Sequence, residues 1–269
     1  MSIRDLDAGD GLVLRGTRLG SGEPVVFLHG SGPGATGVSN FARNAAHLAE
    51  AGYESLMLDS LGYGASSKPT DVPYTLPRMA GAALRALDAL ALDRVTLVGN
   101  SQGGAQALWI ALHHPDRVKA LVLMAPGGLE ARETYMELSG IRSMARCLYG
   151  PEGMTRDGLK RVLLKQVVDP SWITEDLVDE RWAAAQGQPL HVFRSMEVPD
   201  LSERLGEVRC PVLAFWGMED VFCPPSGATK IARAVPNARV VLLPRCGHWV
   251  MVERAELFDR YVLDFLENG

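Results

Sequence analysis

A serine set between two glycines, Gly99-Asn-Ser-Gln-Gly103, is the first feature of this sequence that could do chemistry. The pattern G-x-S-x-G carries the hydroxyl of Ser101 on a sharp turn between a strand and a helix. The surroundings agree: an apolar run from Val95 to Val98 precedes it, and a helical pattern opens at Gln102. Side chains at the flanking glycines would collide with neighbouring backbone. A serine hydroxyl is a poor nucleophile without a base, and on such a scaffold an acid and then a histidine follow the serine along the chain. Of the six histidines, His29 ends a strand pattern, His47 lies in a helical one, His113 and His114 close a helix beside Pro115, and His191 falls in a central helical region. His248 alone lies beyond that region, on the short loop Pro244-Arg-Cys-Gly-His248, and takes the base role. The loop Trp216-Gly-Met-Glu-Asp220 offers the acid, with Asp220 placed 28 residues before His248. Such an acid would hold the imidazole tautomer and stabilise the imidazolium. Glu219 stands next to it as the alternative.

An acyl-transfer serine also needs two backbone N–H groups aimed where negative charge develops. One is expected from Gln102, the residue after the nucleophile, and the other from the turn His29-Gly-Ser-Gly-Pro-Gly34, at Ser31 or Gly32. A glycine-rich turn after a strand could instead cradle a phosphate. Neither G-x-G-x-x-G nor a P-loop lysine is present, so a dinucleotide reading is poor.

These residues need a frame. Short apolar runs at 24–29, 53–59, 94–99, 118–125, 210–217 and 239–243 read as strands. Between them, helical spacing runs over 38–51, 78–92, 102–114, 226–235 and 255–267. Fully apolar strands alternating with helices predict an α/β domain with a mostly parallel sheet covered on both faces. From Leu129 to Gly206 no strand pattern occurs, only helical stretches with polar and arginine-rich faces. That is too long for a loop. The expected organisation is a core of residues 1–128 and 207–269, split by a helical lid at 129–206.

Composition bounds the partners. The 269 residues are 47% hydrophobic and 22% charged, with net charge −5, which argues against extended disorder and gives no electrostatic footprint for nucleic acid. Cys147, Cys210, Cys223 and Cys246 stand far apart without a C-x-x-C pair, so neither a zinc site nor a disulfide framework is expected. The N-terminal residues are acidic and lack a signal peptide's apolar core, and no apolar run reaches membrane-spanning length. A cytoplasmic protein with reduced thiols is the expectation.

Four stretches carry a more specific resemblance: His29-Gly-Ser-Gly-Pro-Gly-Ala-Thr-Gly37 with Ser39 and Asn40, Leu97-Val-Gly-Asn-Ser-Gln-Gly-Gly104, Met124-Ala-Pro-Gly-Gly128, and Cys246-Gly-His-Trp249. With the lid segments Asp169–Glu175 and Glu180–Trp182, they make the whole chain similar to the α/β-hydrolases of the meta-cleavage product branch. Those enzymes hydrolyse a carbon–carbon bond in 2-hydroxy-6-oxo-dienoates made by ring-cleaving dioxygenases. The resemblance implies a triad of Ser101, Asp220 and His248 and an oxyanion hole at Ser31, Gly32 and Gln102. It also implies that Asn100, Arg181 and Trp249 grip the carboxylate and oxo end of the substrate, with Asn40 and Ser171 as further polar contacts. An arginine suits an anionic 2-oxo acid because it can form bidentate hydrogen bonds. The resemblance allows a homo-oligomer and calls for no cofactor. Three positions depart from the pattern: Gln102 in place of an apolar residue after the nucleophile, Arg254 in place of a histidine, and Lys165-Gln-Val-Val168, which lacks an expected aromatic. An esterase or lactonase on the same scaffold, or a ligand-binding relative without catalysis, are the competing expectations.

Overall fold

The computed structural model describes residues 1–268, whose strands form one eight-stranded sheet with helices on both faces. In chain order the elements are β1 (Ser2–Asp7), β2 (Val13–Gly20), β3 (Glu23–Leu28), α1 (Gly37–Glu50), β4 (Tyr53–Leu58), α2 (Leu76–Asp88), β5 (Val95–Asn100), α3 (Gln102–His113) and β6 (Val118–Met124). Then come α4 (Arg132–Glu137), α5 (Ser139–Tyr149), α6 (Arg156–Leu164), α7 (Glu175–Gln186) and α8 (Leu190–Arg194). The chain returns to the sheet with β7 (Val212–Gly217), α9 (Ser226–Ala234), β8 (Ala238–Leu243), α10 (Val250–Glu253) and α11 (Ala255–Asn268).

The sheet order is β1-β2-β4-β3-β5-β6-β7-β8, parallel from β4 through β8 and antiparallel at β1 and β2. The six parallel strands are those expected from their apolar runs. On β3, Val26 and Leu28 pack under α2 and α3, while Val25 and Phe27 pack with Phe41 of α1 and Phe258 of α11. Adjacent residues thus bury opposite faces, which is why these strands show no polar alternation. The antiparallel pair at one edge was not expected. Strand β1 is Ser-Ile-Arg-Asp-Leu-Asp, with Leu6 as its one buried residue, so no hydrophobic signal marks it. Charged side chains on such an edge also discourage pairing with other chains.

Helix α2 begins two residues earlier than its spacing suggests, because the Thr75 hydroxyl accepts from the Arg78 N–H and Pro77 sits in the first turn. Between β6 and β7 the described chain is helical, α4 to α8 with short 3₁₀ turns. Its end is tied to the loop before α2: the Leu76 N–H donates to Glu197 O at 2.9 Å, and Glu197 N–H donates to Tyr74 O at 3.2 Å. All four cysteines are buried and unpaired. No described helix is long and apolar enough to cross a membrane.

Strand order decides where chemistry can occur. Strand β5 lies between β3 and β6, and the C-terminal ends of β3, β5, β7 and β8 all open on the same edge of the sheet. Loops at the carboxyl ends of parallel strands form the binding edge of open α/β sheets.

Candidate active site

Ser101 follows the last residue of β5 and precedes the first of α3, with φ 55° and ψ −119°. A non-glycine residue in that region is strained. The strain is held by bonds to the next strand: Ser101 N–H donates to Met124 O at 2.9 Å, and Gly127 N–H donates to Ser101 O at 2.9 Å. The flanking glycines are required by contact. A Cβ on Gly103 would lie 2.0 Å from Leu28 O, and one on Gly99 would lie 2.6 Å from Gly103 O.

His248 and Asp220 come together from the loops after β8 and β7. His248 Nδ1 donates to Asp220 Oδ2 at 2.6 Å, and both residues are buried. The other carboxylate oxygen, Oδ1, accepts from Phe222 N–H at 2.7 Å and Cys223 N–H at 3.0 Å, so Asp220 is fixed in place. A proton held on Nδ1 leaves Nε2 free to accept one. Glu219 plays a different part. It is exposed, and its Oε2 accepts from Cys246 N–H at 3.0 Å, which anchors the histidine loop. Ser101 and His248 line one cavity, with no hydrogen bond between them among the described residues. Bonds of this kind tighten when substrate enters. The Cys223 thiol rests against Ser101, but burial pushes its pKa well up, so it stays protonated beside the hydroxyl.

The turn after β3 is rigid for identifiable reasons. His29 is fully buried; its Nδ1 donates to Gly30 O at 2.8 Å and its Nε2 accepts from Ser60 N–H at 3.0 Å. Burial, partly opposed by Asp59, lowers its pKa to about 4. The ring is therefore neutral at pH 7, in the tautomer those two bonds require. Tyr63 donates its hydroxyl to Ser31 O at 3.1 Å. Gly34, at φ 67°, has Arg181 O where a Cβ would be, 1.9 Å away, and its N–H donates to Gln188 Oε1 at 3.0 Å. Ser31 and Gly32 line the same cavity as Ser101, and the N–H groups of Ser31 and Gln102 have no acceptor among the described residues.

Arg181 is the unusual residue. It reaches from α7 into the cavity, is 2% exposed, and forms no ion pair with any described carboxylate. Its Nη1 donates to Ser39 Oγ at 3.1 Å, its guanidinium lies 5.2 Å from the Trp249 ring centre, and its Nε has no partner. Burial, more than Glu180 or Tyr63 compensates, lowers its pKa to about 10, so it remains a cation at pH 7. A buried cation without a counter-charge is costly, and such a group in a cleft marks a place for an anion.

Ser101 divides the space around it. One lobe, about 30 Å³, is lined by Asn40, Asn100, Gln166, Arg181, His248 and Trp249, and closed from the lid by Ile141 and Met144. Asn100 Nδ2 donates to Met124 O at 3.2 Å and Asn40 Nδ2 to Thr36 O at 2.8 Å, so both are held by backbone while facing the lobe. The other lobe, about 730 Å³, is walled mainly by apolar groups, among them Tyr135, Phe193, Met196, Val198 and Phe222. Gln102 also faces this lobe, where its carboxamide bonds Met79 Sδ at 2.8 Å and accepts from Gln106 Nε2 at 3.0 Å.

Ser171 is the one candidate that the fold does not bring to the cluster. It is exposed on a 3₁₀ turn, where its N–H donates to Asp169 Oδ1 at 2.9 Å. An Asx turn, not a ligand, explains it. Arg254, which departs from the pattern, has a structural part: its Nη2 donates to Arg245 O at 2.5 Å, bracing the histidine loop. Three residues escaped the sequence reading. Ser39 contacts Arg181, Gln166 lines the narrow lobe, and Glu253 ties lid to histidine loop. The Glu253 carboxylate accepts from Val168 N–H at 2.8 Å, Asp169 N–H at 3.1 Å and Gly247 N–H at 2.5 Å. Ser39 had a signal beside the His29–Gly37 motif, Gln166 only as part of the stretch lacking an expected aromatic, and Glu253 none.

Comparison with known proteins fits this arrangement. A family model described as alpha/beta hydrolase fold matches residues 23–141. The chain is 39% identical over 259 residues to the 2-hydroxy-6-oxo-6-phenylhexa-2,4-dienoate hydrolase of Burkholderia cepacia, covering 93% of this chain and 90% of that protein. It is 38% identical, with the same coverage, to a 2-hydroxy-6-oxononadienedioate/2-hydroxy-6-oxononatrienedioate hydrolase of Comamonas testosteroni. In fold it matches the 2-hydroxy-6-oxo-6-phenylhexa-2,4-dienoate hydrolase of Rhodococcus sp. strain RHA1 with TM-score 0.87, over 99% of this chain and 98% of that one, at 23% identity.

Proposed function

Since the chain belongs to the α/β-hydrolase family, in the branch of the 2-hydroxy-6-oxo-dienoate hydrolases, we propose that it cleaves a carbon–carbon bond in such a dienoate. The observation that carries this reading is the buried, uncompensated charge of Arg181 beside Ser101 and His248. An ester or lactone hydrolase has no use for a desolvated cation at that point. A substrate with a carboxylate next to a C2 oxygen supplies the missing counter-charge and takes the paired donors of the guanidinium. The chain's net charge of −5 gives an anion no general attraction, so the attraction has to be local.

The roles follow from position. Ser101, Asp220 and His248 are the nucleophile, the orienting acid and the base. Arg181, Asn100 and Trp249 hold the carboxylate end, and Asn40 supports that wall. His248 moves the proton from the C2 hydroxyl to C5, which converts the dienol to its keto tautomer while Arg181 and Asn100 stabilise the charge at the C2 oxygen. Ser101 then attacks the C6 carbonyl, its proton passing to His248, and the N–H groups of Gln102 and of Ser31 or Gly32 receive the oxyanion. As the C5–C6 bond breaks, its electrons pass into the dienoate fragment and out to the C2 oxygen, which takes the proton His248 holds, so a 2-hydroxydienoate leaves and an acyl-serine remains with His248 neutral again. Water, deprotonated by His248, hydrolyses that ester. Residues 129–206 act as a lid over a core of 1–128 and 207–269, carrying Arg181 on α7 to the site. The buried, unpaired thiols fit a cytoplasmic setting.

The acyl half of the substrate, on this reading, occupies the wide lobe beyond Ser101. Apolar walls and about 730 Å³ suit a bulky uncharged group such as phenyl. At the rim, Glu130 is neutralised by Lys230 at 2.7 Å, while Glu197 and Asp200 outnumber Arg132. A panel of dienoates carrying 6-phenyl, 6-methyl and 6-(2-carboxyethyl) groups tests this, with loss of the yellow absorbance as readout. Turnover of the panel, fastest for phenyl and abolished by Ser101→Ala, is expected. Hydrolysis of simple aryl esters alone would overturn the reading.

A further inference from the structure

Gln166 follows α6, at the point where the lid meets the histidine loop. Its carbonyl accepts from Trp249 N–H at 3.0 Å, and the backbone of Gly247 packs so closely that a Cβ there would lie 2.6 Å from Gln166 O. The main chain of Gln166 is therefore fixed against both neighbours of His248. Gln166 lines the narrow lobe together with Arg181 and Trp249 and is 5% exposed. The carboxamide forms no hydrogen bond with any described residue, and its Oε1 is sealed from solvent. Leaving a buried amide unbonded costs stability. An apolar side chain would fill the same space at no such cost, and the lid pattern at 165–168 would accommodate one.

The other carboxamides of the lobe are committed: Asn100 to Met124 O, and Asn40 to Thr36 O. Gln166 is the one whose carboxamide forms no hydrogen bond with a described residue: its Oε1 is sealed, while its Nε2 is not among the sealed atoms and keeps access to what enters the lobe. On the reading above, that is the head of a 2-hydroxy-6-oxo-dienoate. Its carboxylate belongs with Arg181. The oxygen at C2 is different, because it is a hydroxyl donor in the dienol and a carbonyl acceptor in the ketone. Both forms keep lone pairs on that oxygen, so the Nε2 donor of the carboxamide can bond it in either state. We infer that Gln166 is a substrate-binding residue, recognising the C2 oxygen of the dienoate through the dienol-to-ketone change.

This inference rests on the proposed substrate class, but it is tested separately by binding. Competitive inhibition constants are measured for 2-oxopentanoate and for pentanoate, which differ only in the C2 oxygen, on the wild type, Gln166→Leu and Gln166→Met. The wild type is expected to prefer the 2-oxo acid by about 10-fold, as for one buried hydrogen bond. Both variants are expected to reduce that preference to about 3-fold or less, the remainder being the share of Arg181 and Asn100, while binding pentanoate as the wild type does. Labelling of Ser101 by a fluorophosphonate should be unchanged, which shows that the fold and nucleophile survive. A preference for the 2-oxo acid that persists in both variants would overturn the assignment. Turnover of the dienoate by wild type reports independently on the activity itself.

Discussion

Arg181 offers a perturbation in which stability and activity should move in opposite directions. The guanidinium is buried without a carboxylate partner, and its pKa falls from the ordinary 12.5 to about 10. That difference corresponds to about 3 kcal/mol disfavouring the cation in the folded protein. Arg181→Met removes the charge and keeps much of the side-chain volume against Trp249. Some packing is lost, so a net gain of about 1–2 kcal/mol is expected, which for a chain of this size raises Tm by roughly 2–8 °C. The same change removes the charge-assisted contacts to the substrate carboxylate. Losing about 3–4 kcal/mol of them lowers kcat/KM for a 2-hydroxy-6-oxo-dienoate by roughly 10²–10³-fold. Hydrolysis of a small aryl ester, which lacks that carboxylate, should change by less than about 3-fold. Calorimetry and two spectrophotometric assays suffice. A fall in Tm with dienoate turnover retained would refute the reasoning, and an equal loss on both substrates would show a merely structural role.

Other expectations follow from single groups. His29, neutral when folded and titrating at about 4, excludes a proton that the unfolded chain binds below 6.5. Its contribution is complete above pH 6.5 and declines as pH falls toward 4, by up to about 3 kcal/mol. Urea unfolding between pH 7 and 4 should therefore show a steeper loss for wild type than for His29→Gln, and parallel profiles would contradict this. Asp220→Asn keeps the shape but lets the imidazole proton sit on Nε2, so kcat should fall roughly 10³–10⁴-fold with little change in Tm. A loss below about 10-fold would remove Asp220 from its role. Glu253→Ala strands three backbone N–H groups between lid and histidine loop. A loss of about 3 kcal/mol or more is expected in urea unfolding, and one below about 1 kcal/mol would show that water replaces the carboxylate.

The parts of this molecule that were legible in its sequence are those encoded locally. The parallel strands bury both faces, so their apolar runs stand out, and the turn at Ser101 is written in glycines that contact requires. Asp220 could be placed ahead of Glu219 only by pattern, and the 2.6 Å bond to His248 now separates them. Strand β1 was not readable because an exposed edge carries no hydrophobic period, and β2, paired on both sides, buries only Leu14, Gly16 and Thr17, too little apolar surface to mark it. Glu253 was silent for another reason: its partners Val168 and Asp169 lie more than 80 positions away, and nothing local distinguishes it from other helix glutamates. Gln166 appeared only as a missing aromatic, since an unbonded amide is a property of the packed lid. Ser171 shows the converse, a residue assigned by resemblance whose backbone bond to Asp169 accounts for it.

The central claim is that Ser101 and Arg181 act together on a carbon–carbon bond. Product analysis after incubation with 2-hydroxy-6-oxo-6-phenylhexa-2,4-dienoate tests it most directly. Equimolar benzoate and a five-carbon 2-hydroxydienoate, formed by the wild type and not by Ser101→Ala, is the predicted result. Intact dienoate recovered from an enzyme that still hydrolyses aryl esters would contradict it.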